Sequence, residues 1–190
     1  MRSPVAELLA ALAAALDRLG VAWYLFGAQA ALLYGAARLT ADVDVTVRLG
    51  DQPTSALVDA LVAAGFELRV RDVHGFVERT RVLPLAHRPT GIPVDVVLAG
   101  PGPEELFLAR ARQETVEGVA VKVASPEDVV AMKVLAGRPK DLEDAEAIVA
   151  AQGDRLDLSL VRETLGMLER ALDQADLLPA LDRLLERARR

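Results

Sequence analysis

Residues 42–48 read Asp-Val-Asp-Val-Thr-Val-Arg. The strict alternation puts Val43, Val45 and Val47 on one side of an extended chain and Asp42, Asp44, Thr46 and Arg48 on the other. A helix would scatter these valines around its axis, so the segment has to be a β-strand with one apolar and one polar face. That strand excludes an all-helical fold, although the first 19 residues are rich in Ala and Leu. It also sets Asp42 and Asp44 on one side with Cα atoms about 6.5 Å apart.

The neighbouring segments take their places around it. Ser3-Pro4 is a cap and first-turn signal, Val5, Leu8, Leu9, Leu12, Leu16 and Leu19 recur at helical spacing, and Gly20 ends that helix. Val21 to Phe26, bounded by Gly20 and Gly27, reads as a buried strand, and residues 28–34 return to helix formers. Gly27 therefore sits at a strand-to-helix turn. A helix is expected from about Pro53 to Ala64, then strands over 66–70 and 76–85 with His74 and Gly75 in the loop between them. Pro84 should weaken the end of the second. In the next strand, 92–98, Ile92, Val94, Val96 and Leu98 face one way and Asp95 the other.

Gly100-Pro101-Gly102-Pro103 is a turn releasing a helix near Glu104, and residues 115–124 form a hairpin about Glu117-Gly118. From Ser125-Pro126-Glu127-Asp128, a cap followed by an acid in capping-box position, the chain becomes helical to about Ala136. Further helices are expected near 141–151, 158–172 and 179–189. The pattern predicts an α/β (α+β) fold, a small mixed sheet flanked by helices over residues 1–124, with a helical C-terminal region, 125–190, packed on that core.

Composition narrows the chemistry. Hydrophobic residues make up 52% of the 190, enough for a sizeable core, which excludes disorder of the whole chain. The absence of cysteine removes disulfides, thiolate zinc sites and cysteine nucleophiles. A formal charge of −6 argues against a broad basic surface for nucleic acid but allows a local phosphate pocket. Glu7, Asp17 and Arg18 interrupt the apolar start, and no run reaches the roughly 18 residues of a membrane span. The expectation is a cytoplasmic protein with no membrane partner.

Asp42 and Asp44 alone could be a solvated strand face. Their context adds parts that phosphoryl transfer needs. Gly27 opens a helix whose free N–H groups can approach a phosphate, and Asp95 offers a third carboxylate from another strand. Together these make an anion cradle, an acid pair able to bridge two Mg²⁺ ions, and a third acid at the acceptor. Asp72 competes with Asp95 for the third place. Arg38 precedes the acid pair closely enough to neutralise phosphate or to pair with Asp42 or Asp44. Lys133 is the one charge between Val129 and Ala136, so it calls for a nucleotide phosphate or a metal-site carboxylate as partner, or it snorkels to solvent. Lys140 and Asp144, four apart on one helix, make an exposed ion pair in the plainest reading. His74, His87, Trp23 and Tyr24 read as packing or surface residues.

The run Gly27-Ala28-Gln29, then Arg38-Leu39-Thr40-Ala41-Asp42-Val43-Asp44-Val45, resembles the glycine-turn and Asp-x-Asp motif of the DNA-polymerase-β-like nucleotidyltransferase superfamily. Ser125-Pro126-Glu127-Asp128 through Lys133 to Lys140-Asp141-Leu142-Glu143-Asp144 resembles the corresponding segment of its AbiEii-type branch, known from abortive-infection toxins. The resemblance implies an NTP substrate, two Mg²⁺ held by Asp42, Asp44 and Asp95, and Gly27 with Ala28 at the β and γ phosphates. It makes Lys140 a functional candidate beside Arg38 and Lys133. It also implies transfer of an NMP to a hydroxyl acceptor, either an RNA end, a protein or a small molecule, with an antitoxin protein as possible partner. One departure stands out: the family usually has Gly-Gly or Gly-Ser at the turn, where this chain has Gly27-Ala28. That departure supports a competing expectation, a nucleotide-binding or interaction module that keeps the fold without turnover. A third is a purely structural role for the acids and helices.

Overall fold

The strand read first, β2 (Val43–Arg48), lies at the centre of a seven-stranded mixed sheet. The computed structural model describes residues 3–37 and 42–188. The other strands are β1 (Ala22–Phe26), β3 (Phe66–Leu68), β4 (Val82–His87), β5 (Pro93–Leu98), β6 (Arg112–Val116) and β7 (Val119–Val123). Their order is β3-β4-β5-β2-β1-β7-β6. β2 runs parallel to β5 and antiparallel to β1, whose other neighbour, β7, is parallel. Val43, Val45, Val47, Val94 and Val96 are all fully buried, as the alternation requires. Each such side chain contributes about 1.5–3 kcal/mol by leaving water.

The chain divides into two compact units, Met1–Phe26 with Thr40–Val123, and Gly27–Leu39 with Ala124–Arg190. The first holds the whole sheet with α1 (Pro4–Leu19), α3 (Thr54–Ala63), α4 (Val73–Thr80) and α5 (Pro103–Arg110). α1 is capped by the Ser3 hydroxyl, which accepts from the Ala6 N–H at 3.1 Å, and ends at Gly20 in the left-handed conformation. It packs on α3 and on β7. His87 is buried against Phe66, with Nδ1 3.0 Å from the Thr90 hydroxyl. Burial lowers its pKa more than the nearby Glu7 raises it.

The second unit is helical: α2 (Gly27–Tyr34), α6 (Pro126–Ala136), α7 (Pro139–Gln152), α8 (Leu158–Leu172) and α9 (Leu177–Ala188). α2 packs on α6 and α7. The Tyr34 hydroxyl donates to the Ala124 carbonyl at 2.9 Å, and the Gln152 amide donates to the Tyr34 carbonyl at 2.9 Å. Gly35 closes this junction at φ +122°, where a Cβ would meet the Ala151 methyl at 2.3 Å. Only glycine satisfies both constraints.

The expected strand over 76–85 is corrected in its first half. Residues 73–80 form α4, because the Asp72 carboxylate caps it by accepting from the Gly75 N–H at 3.0 Å. The strand begins only after Arg81, which turns through the left-handed region at φ +56°. Pro84 does not end that strand. Its carbonyl accepts from the Arg69 N–H at 3.0 Å, so its nitrogen also faces the β3 side, at the rung where β3 stops. The missing donor therefore costs one ladder bond, the return bond to the Arg69 carbonyl, at the edge of β3 and not in the pairing with β5.

Candidate active site

Phe26 pairs in register with Asp44, Asp44 with Asp95, and Asp95 with Pro84, whose carbonyl takes the Arg69 N–H. Register partners point to the same face of a sheet, so Asp44 and Asp95 stand side by side on adjacent strands about 4.8 Å apart. Asp42, exposed, lies one residue before β2 and shares their face by alternation. Asp44 and Asp95 are both half-buried. Further along this face Tyr24 and Thr46 are closed off from water, 1% and 3% exposed. The polar face of β2 is therefore closed in its middle and open at its two ends, at Asp42 and Asp44 and at Arg48.

The sequence-predicted acids Asp42, Asp44 and Asp95 are thus brought to one face of the first unit. The Arg69 guanidinium, which sequence reasoning missed, donates through Nη2 to Asp95 Oδ1 in an ion pair with both side chains 38% exposed. Asp72 is spent on capping α4. Gly27 opens α2 directly after β1 at φ +68°, which suits glycine at that turn. Ala28 is buried in the first turn of the same helix. Arg38 lies outside the described residues.

Among the described residues no three acidic or histidine side chains are arranged to hold a metal ion by themselves. Mg²⁺ is ordinarily held by one or two carboxylates with substrate phosphates supplying further ligands, and the hard oxygen donors of the Asp44–Asp95 rung fit that pattern. A cavity of about 610 Å³ opens elsewhere in this unit, at the far end of β2 and β5, among Arg48, His74, Glu78, Arg81 and Glu105. Four residues of strand, about 13 Å, separate Asp44 from Arg48. The cavity thus lies away from the acids.

In the second unit Lys133 is buried, and its Nζ donates to Asp141 at 3.0 Å and to Asp144 at 2.7 Å. Arg138 donates to the other oxygen of Asp141. Burial alone would raise the Asp141 pKa, but the hydrogen bonds from Arg138 and Lys133 and their charges outweigh it and hold the carboxyl below its usual range. Asp144 is therefore the partner of Lys133 and is buried, not the exposed mate of Lys140. Lys140 is itself exposed in the first turn of α7. The signal for this cluster was present in the sequence. A lone lysine in an apolar helix is followed by a Gly-Arg-Pro turn, and then by two acids three apart on the returning helix.

The fold is that of known nucleotidyltransferases. The solution structure of the antibiotic-resistance factor ANT(2'')-Ia is 16% identical, with 91% of this chain and 95% of that one covered at a TM-score of 0.60. Its crystal structure in complex with adenylyl-2''-tobramycin gives 17% identity, 85% and 97% coverage and a TM-score of 0.57. An antigenic nucleotidyltransferase-like protein from Paracoccidioides brasiliensis is 21% identical over 96% of this chain and 94% of that one, with a TM-score of 0.56. No curated protein matches in sequence. The model of the family described as "Nucleotidyl transferase AbiEii toxin, Type IV TA system" matches residues 8–189. With nearly its whole length so matched, the chain belongs to the AbiEii nucleotidyltransferase toxin family.

Proposed function

We propose that this protein moves a nucleoside monophosphate from a Mg-NTP to a hydroxyl acceptor. The observation that carries the reading is the Asp44–Asp95 rung, two carboxylates in register with Asp42 on the same face. Asp42, Asp44 and Asp95 would hold the Mg²⁺ ions, which when bound supply charge neutralisation at the phosphates and lower the pKa of a coordinated hydroxyl. The chain's own residues do the rest. The N–H groups of Gly27 and Ala28 bind the β and γ phosphates at the helix start. An Asp95 carboxylate oxygen takes the proton of the acceptor hydroxyl as it attacks the α phosphorus, and pyrophosphate departs. Arg38 and Lys140 are the cations we assign to the triphosphate on the family resemblance of the motifs that carry them. Lys133 acts through Asp141 and Asp144 to hold the α6–α7 turn rather than through the nucleotide.

Family membership supports a toxin role with an antitoxin protein as partner. The net charge of −6 favours a compact acceptor over an extended RNA track, and a hydroxyl of a small molecule or a single RNA end fits that charge. A second reading, a module that binds nucleotide without turnover, is favoured by Ala28 at the turn and by Arg69 on the third acid. One experiment separates the two. The protein is incubated with each α-labelled NTP, Mg²⁺ and either RNA or small hydroxyl compounds. Label transfer with pyrophosphate release, lost in Asp44→Asn, supports transfer; nucleotide bound without label moving to any acceptor supports the module.

A further inference from the structure

Transfer as proposed above has no use for Arg69, yet the fold takes trouble to deliver it. β3 ends at Leu68, and the Arg69 N–H makes the last bond across to Pro84, the register partner of Asp95. Arg69, Pro84, Asp95 and Asp44 are thus one row across four strands, and the arginine spans the width of β4 to reach Asp95. Pro84, buried in the middle of that row, puts no charge and no long side chain between them. On the far side of Asp95 stands Asp44, a like charge on the adjacent strand. Two carboxylates so close repel, and a cation relieves the repulsion.

We infer that Arg69 is a displaceable counter-ion, occupying the third carboxylate until a divalent cation takes its place. The inference rests on the reading of Asp44 and Asp95 as a cation site. An ion pair whose two side chains are 38% exposed is held in a high-dielectric setting and exchanges its partner at small cost. A compact divalent ion carries twice the charge of a guanidinium and can bridge Asp95 and Asp44 together, which Arg69, reaching in from β3, is seen to do only for Asp95. Metal entry and release of Arg69 are therefore coupled: whatever favours one favours the other. A residue that merely oriented Asp95 for its ligand would have the opposite signature, because its loss would weaken cation binding.

The sign of the effect is the test. Mn²⁺ alone, without nucleotide, is titrated into the full chain and the free ion followed by electron paramagnetic resonance. The variants are wild type, Arg69→Gln, Arg69→Lys and Asp44→Asn, each checked by circular dichroism. Arg69→Gln is expected to bind Mn²⁺ about 2- to 5-fold more tightly than wild type, the fold-change equivalent of an exposed ion pair. Arg69→Lys, which keeps the charge but loses the forked donor, should bind more tightly by a smaller factor, and it carries the test if the glutamine variant does not fold. Unchanged or weaker binding in the Arg69 variants, while Asp44→Asn still lowers it, overturns the counter-ion role and leaves the cation site standing. Binding that is absent, or indifferent to Asp44→Asn, in every variant overturns the cation site and the inference with it.

Discussion

Both units gather acids and a base, and they use them in opposite ways. In the sheet unit Asp42, Asp44 and Asp95 stand at an open strand end, where Arg69 is an exposed partner. In the helical unit Lys133, Asp141 and Asp144 are closed off from water, at 6%, 1% and 4% exposure, and each finds its partner within the α6–α7 hairpin. Charges kept wet exchange partners easily and remain available to a ligand. Charges kept dry are costly to separate, so they specify a turn geometry rather than a reaction. The same residue types are a site in one place and a clamp in the other, and burial makes the difference.

That contrast is sharpest if the acids of the first unit can be changed with little effect on folding. Asp95→Asn is expected to lower label transfer roughly 10²–10⁴-fold, the loss typical of a removed general base, while the melting temperature hardly moves. The clamp should behave in reverse. Lys133→Ala takes the shared ammonium away from two buried carboxylates, and is expected to cost about 3–5 kcal/mol in urea unfolding. A loss below 1 kcal/mol would mean that the cluster is not dry in solution.

Acid separates the units by window. His87, whose pKa is held below 6.5 by burial, folds best when neutral, so its contribution is complete above that value and fades as pH falls through 6.5 toward the depressed value. Asp141, held below 3.8, contributes fully above that value and loses its contribution as pH falls beneath it. Trp23, the single tryptophan, lies in the sheet unit with its indole N–H on Asp17 at 3.0 Å and reports that unit alone. Its fluorescence-detected stability should fall between pH 7 and 5.5, and His87→Gln should remove that slope. The smallest effect is expected at the exposed Arg162–Asp182 pair between α8 and α9. There Arg162→Ala should cost under about 1 kcal/mol, checked by the same urea titration.

Segments with one strong period were legible in the sequence. α8 occupies 158–172 as its spacing predicted, and the alternation of 42–48 became the central strand. The turn at Glu117-Gly118 joins β6 and β7 as expected. α4 was not legible, because Val73, Phe76 and Val77 favour a strand by residue type and only the Asp72 cap, three residues from Gly75, tips them into a helix. The three acids could be picked out from alternation and spacing. What spacing could not convey was register: nothing local says that Asp95 falls beside Asp44, or that Arg69 arrives across β4. The Lys133 cluster was half legible, since the lone buried charge demanded a partner but the turn geometry chose it.

The central claim is that the acids of the sheet unit bind a metal nucleotide, and a thermal-shift titration tests it without knowledge of the acceptor. Wild type and Asp44→Asn are melted with each of the four NTPs, with and without Mg²⁺. Ligand at about 100 times its dissociation constant stabilises by roughly 2.7 kcal/mol, a shift of several degrees for a chain of this size. The account predicts a Mg²⁺-dependent shift with at least one NTP that disappears in Asp44→Asn. No shift with any nucleotide, or a shift that survives the substitution, would contradict it.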